Sequence, residues 1–129
     1  MWLGSLSAEQ RQALYRLAHN VVVSDGLLDP NEEGMMNELR REMEIETTDE
    51  PEYLELEGIE KIFDSHASRV VAMLNLLKLG YADGAFEVEE ECLIKEIGRA
   101  FDVSDEQFML YNNWIRRLTA LEQEALEWL

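Results

Sequence analysis

One nine-residue pattern of this chain recurs in degenerate form. Asp25-Gly26-Leu27-Leu28-Asp29-Pro30-Asn31-Glu32-Glu33 returns 58 residues later as Asp83-Gly84-Ala85-Phe86-Glu87-Val88-Glu89-Glu90-Glu91. The register then holds without a gap: Met36 meets Ile94, Glu38 meets Glu96, Leu39 meets Ile97, Met43 meets Phe101, Ile45 meets Val103 and Tyr53 meets Tyr111. Self-similarity at a fixed period indicates one supersecondary unit used twice. The expectation is an all-α fold, a compact bundle of about six to seven helices within a single domain over residues 1–129. Two three-helix repeats, residues 7–63 and 65–121, would be related by a pseudo-two-fold axis.

The helices follow from apolar spacing and capping chemistry. Ser7 with Gln10 makes a capping box before the stripe Leu14, Leu17, Val21, and the Ser24-Asp25-Gly26 segment should end that helix. Pro30 and Pro51 each fit a first helical position, where a missing N–H costs little. A second helix from Asp29 buries Met36, Leu39 and Met43. A third, after Thr47-Thr48-Asp49, buries Leu56, Ile59 and Phe63. The stretch from Ser65 to Leu79 is apolar on nearly every side and should be the central helix. A fifth helix, Glu87 to Phe101, turns Leu93, Ile94 and Ile97 inward. Ser104 and Gln107 cap the last segment, in which Asn112-Asn113 are a candidate interruption. No strand periodicity is read anywhere.

Composition removes several function classes. The formal net charge is −17, so phosphate backbones and anionic lipid surfaces are repelled. No apolar run reaches the ~18 residues a membrane span needs, and the first residues lack a secretory pattern, so direct membrane insertion is not expected. One cysteine, Cys92, excludes an internal disulfide and fits a reducing cytoplasm. His19, His66 and Cys92 have no zinc-ligand spacing, and no nucleophile set, phosphate loop or nucleotide fingerprint is present. The chain therefore reads as a non-enzyme with a protein partner and no nucleic acid. Trp2 and Trp128 read as core or terminal residues, with a partner interface as the alternative.

The repeated turn, Asp-Gly-x-(Leu/Phe)-(Asp/Glu)-x-x-Glu, matches the second half of a calcium-binding EF-hand loop. The first half fails, because Val21 and Val23, or Leu79 and Tyr81, stand where acidic ligands are needed. One turn alone is a poor cage, and two turns brought together would pool their carboxylates. The other account is structural: a glycine cap followed by acids at the next helix start makes a tight corner with no ligand. That account explains Asp25 and Asp83 less well, since an acid at a helix C-terminus faces the unfavourable end of the dipole.

Leu17-Ala18-His19-Asn20-Val21-Val22-Val23-Ser24-Asp25-Gly26 with Asp29 and Glu32, repeated as Leu79-Gly80-Tyr81-Ala82-Asp83-Gly84 with Glu87 and Glu90, resembles the TerB-like tellurite-resistance family. The similarity is read over essentially the whole chain. It implies an all-helical cytoplasmic module of stress or metal-ion response. By position, it implies Asp25, Asp29, Glu32, Asp83, Glu87 and Glu90 as candidates for a weakly held divalent cation, calcium or magnesium. The competing function is an acidic interaction domain for a basic partner, or a nucleic-acid mimic. Between Glu42 and Glu60 nine acids stand with no basic residue, which the repeated motif does not explain.

Overall fold

The computed structural model describes residues 1–24, 26, 30–46, 51–81 and 87–129. Six α-helices, α1 Ala8–Val22, α2 Pro30–Glu42, α3 Ile59–Ile62, α4 His66–Gly80, α5 Val88–Ala100 and α6 Asp105–Leu126, follow a 3-10 turn at Leu3–Ser5, with no strand among the described residues. The fold is all-α.

Three helices start as their sequences dictate. At α1, Ser7 Oγ accepts from the Gln10 amide at 3.1 Å and Gln10 Oε1 accepts from the Ser7 amide at 3.0 Å. Ser104 and Gln107 repeat that box at α6, and Ser65 with Ser68 forms one at α4. Each box satisfies two helix-end amides that otherwise lack partners. Pro30 is the first residue of α2, as expected. Gly26 has φ +83°, the left-handed conformation expected of a glycine helix stop; Gly84 lies outside the described residues.

Helix α4 is the central element, with ten buried residues from Ser68 to Gly80, and it packs against α1, α5 and α6. Helix α1 in turn packs on α2, α3 and α5. The core joins Leu14, Leu17 and Val21 of α1 to Met73, Leu76 and Leu77 of α4, Ile94 and Ile97 of α5, and Phe108 and Ile115 of α6. Phe63 and Phe101 meet edge to face at 5.2 Å between ring centres. Arg69 joins two helix ends, donating to the carbonyls of Glu60 at 2.9 Å, Phe63 at 2.7 Å and Phe101 at 3.4 Å. A guanidinium suits those carbonyls, which carry the negative end of the helix dipole.

Helix bounds follow the 58-residue offset through the first two elements of each half. Shifted by that offset, α1 gives the bounds of α4 and α2 gives those of α5. Both α2 and α5 end alike. Ile45 N–H donates to Arg40 O at 3.0 Å and Val103 N–H to Gly98 O at 2.8 Å, while Glu44 and Asp102 hold φ of 58° and 61°. These are Schellman ends with an acid at the left-handed position.

The third elements differ, which corrects the expected three-helix repeat. A helix beginning at Pro51 does not form: residues 51–58 are irregular, and α3 is a single turn. The cause is long-range hydrogen bonding. Arg16 donates to Glu52 O at 3.0 Å and Tyr53 O at 2.8 Å, and Asn20 brackets Leu54, donating to its carbonyl at 2.9 Å and accepting from its amide at 3.4 Å. Backbone groups held this way are not available to a helix. Leu56, Ile59 and Phe63 still reach the core. Helix α6, by contrast, runs unbroken through Asn112-Asn113, and Tyr81 Oη donates to Asn112 Oδ1 at 2.9 Å.

Candidate acidic site

Glu32 and Glu90 stand at the third positions of α2 and α5, and each is only 3% exposed. Surface position and charge both favour an exposed glutamate in a first helical turn, so burial at both matched positions is the unusual feature. The N-terminal end of a helix offsets part of the cost of removing a carboxylate from water, because free amides and the dipole favour negative charge there. Helices α2 and α5 both pack on α1, so the two glutamates are carried by helices that share one neighbour.

The other sequence candidates fall differently. Glu87 is the N-cap of α5, exposed, and its side chain makes no capping hydrogen bond. Asp25, Asp29 and Asp83 lie outside the described residues. Among the described residues no three His, Cys, Asp or Glu side chains are grouped to hold a metal. His19 is half-buried on α1, His66 is exposed at the start of α4, and Cys92 is a free, exposed thiol on α5. Trp2 and Trp128, expected in the core or at frayed ends, are 60% and 76% exposed, so neither is a core residue.

A second acidic surface lies on the irregular stretch. Glu52, Glu55 and Glu57 are exposed while Leu54 and Leu56 pack inward, and Glu42, Glu44 and Glu46 are exposed at and after the end of α2. Sequence reasoning did not find the side chains that set up this surface, Arg16 and Asn20, whose partners lie 34 to 37 residues away. Their only local signal is position: they are four residues apart and so share one face of α1.

The protein-family model described as tellurite resistance protein TerB matches residues 37–113, more than half of the chain. The chain belongs to the TerB family. The match begins inside α2 and ends inside α6, so it contains all of α4 and α5 with Asp83, Glu87 and Glu90. Asp25, Asp29 and Glu32 precede it, so TerB membership rests on a narrower span than the whole-chain resemblance read from the sequence. No curated protein and no solved structure matches the chain. No described helix is long and apolar enough to cross a membrane.

Proposed function

We propose that this chain is a non-catalytic cytoplasmic TerB module, related to tellurite resistance, that responds to a divalent cation through its two acidic turns. The observation that carries the reading is the paired burial of Glu32 and Glu90 at equivalent first-turn positions. A duplicated helical pair, α1–α2 and α4–α5, underlies it in this reading, supported by helix bounds, caps and acids that recur at one offset. Carboxylate oxygens are the donors that calcium and magnesium prefer. Two buried glutamates, with the aspartates of the adjoining turns, supply the right donor chemistry for either ion. Incomplete carboxylate sites bind in roughly the millimolar range, more weakly than dedicated calcium sensors.

The second reading is an acidic face for a basic protein partner, favoured by the exposed Glu52, Glu55 and Glu57 on a stretch held open by α1. A backbone amide NMR titration with calcium, and separately with magnesium, distinguishes the two. The cation reading expects saturable shifts centred on the first turns of α2 and α5. Shifts centred on residues 52–57, or spread evenly over all acids, would count against it.

A further inference from the structure

Arg69 is a half-buried guanidinium that no described carboxylate pairs with. Its Nε donates to Phe63 O at 2.7 Å, and its two terminal nitrogens donate to Phe101 O at 3.4 Å and Glu60 O at 2.9 Å. Three main-chain carbonyls therefore fix the plane of the group, and one N–H on each terminal nitrogen is left over. Arg69 lines a cavity of about 140 Å³ together with His66, Asp102, Gln107 and Tyr111. Gln107 Oε1 accepts from the Ser104 amide at 3.0 Å, so what that side chain still offers is its Nε2, a donor. Among the described residues the His66 ring and the Tyr111 hydroxyl have no hydrogen-bond partner. The lining is rich in donors, and its one acid is Asp102, which closes α5 with φ 61°. Among the described residues the other half does not repeat the arrangement. Arg11, at the position matching Arg69, donates to Gly4 O, and Tyr53, matching Tyr111, lies on the irregular stretch.

We propose that this cavity binds one inorganic phosphate ion. A guanidinium already held in one plane suits an oxyanion, because little further side-chain freedom is lost when its remaining N–H groups are used. Gln107 Nε2, Tyr111 Oη and the His66 ring add neutral donors around it. Asp102 decides which oxyanion. A carboxylate repels a fully ionised ligand and accepts a hydrogen bond from one that keeps a proton. Near neutral pH inorganic phosphate keeps a proton and sulfate keeps none, while a phosphomonoester is mostly the dianion, which has no proton to give. The net charge of −17 excludes a polyanion, which meets the acidic surface along its whole length. A single small ion is governed by the groups that line its cavity, since exposed charges beyond about 8 Å are largely screened at physiological ionic strength. The site uses none of the repeated acids and does not depend on a cation at their turns.

The test titrates the full chain, free of divalent cations, with sodium phosphate, sodium sulfate and methyl phosphate at matched ionic strength and neutral pH. Binding is read by amide and side-chain NMR shifts. Phosphate should give saturable shifts at His66, Arg69, Asp102, Gln107 and Tyr111, and the other two anions should bind at least about tenfold more weakly. Tyr111→Phe removes one hydroxyl and should weaken phosphate at least about fivefold. Asp102→Asn keeps a residue that tolerates the left-handed backbone and replaces the repelling carboxylate by an amide that can donate. Sulfate should then bind as well as phosphate. Equal responses to all three anions in the parent would mean a general salt effect and would overturn the proposal. So would the absence of saturable shifts at this cavity, or phosphate binding unchanged in both variants. Methyl phosphate binding as tightly as phosphate would overturn the assignment to the free ion.

Discussion

Glu44 and Asp102 hold a conformation that glycine prefers, and neither carries a sequence mark of it. Each closes its helix through the same pair of backbone hydrogen bonds, with φ near +60°. A left-handed residue with a Cβ is strained by roughly 1–2 kcal/mol, less for aspartate, whose short side chain tolerates the region. Part of that gain is lost on substitution, because glycine adds freedom to the unfolded chain. Glu44→Gly should therefore raise unfolding free energy by about 0.5–1 kcal/mol, and Asp102→Gly by less. Chemical denaturation of both variants checks the order, and a loss of stability in either would remove strain as the explanation. Gly26 supplies the opposite case. A Cβ there meets nothing within 4 Å among the described residues, and the positive φ sets a cost for Gly26→Ala on the order of 1 kcal/mol. An unchanged midpoint would show that the turn relaxes away from positive φ.

At the scale of elements, helix type was legible wherever capping and apolar period agreed. The boxes at Ser7 and Ser104 mark α1 and α6, and the run Val70 to Leu79, apolar but for Asn75 and Lys78, marks α4 as central. Where the two signals parted, the reading failed. Leu56, Ile59 and Phe63 have helical spacing and do enter the core, but Leu54-Glu55-Leu56-Glu57 alternates apolar and polar residues. That alternation places Leu54 and Leu56 inward and Glu55 and Glu57 outward along a non-helical chain. What decides between the two is Asn20, 34 residues away, and no local pattern encodes such a partner. Asn20 is 2% exposed and satisfies both backbone groups of Leu54. Its replacement by alanine should cost about 1–3 kcal/mol, because the amide and carbonyl of Leu54 lose their partners. Hydrogen exchange should quicken across residues 52–56 before it does in α4. Uniform exchange throughout the chain would show that Asn20 acts on global stability and not on this stretch. The candidate acids were legible for a different reason: Glu32 and Glu90 recur at one offset, and the fold buries both.

The whole molecule is a TerB-family bundle bearing a large negative charge, and that charge complicates any test of its acids. Screening by added salt relieves self-repulsion and stabilises a chain of net −17 with no binding site at all. Cation binding has to be read above that background. A ligand held only by the native state stabilises by an amount set by its concentration over Kd, about 2.7 kcal/mol at a hundredfold excess. A millimolar site gives less within accessible concentrations. The decisive measurement is the melting temperature in calcium or magnesium chloride against sodium chloride at matched ionic strength. It is made on the parent, on Asp25→Asn with Asp83→Asn, and on Glu55→Gln with Glu57→Gln. Each pair of substitutions removes two negative charges, so their screening backgrounds are alike. The account predicts a divalent-specific rise in the parent and in the Glu55, Glu57 variant, and its loss in the Asp25, Asp83 variant. Equal responses from both variants would contradict it and leave the acids to capping, solubility or a partner.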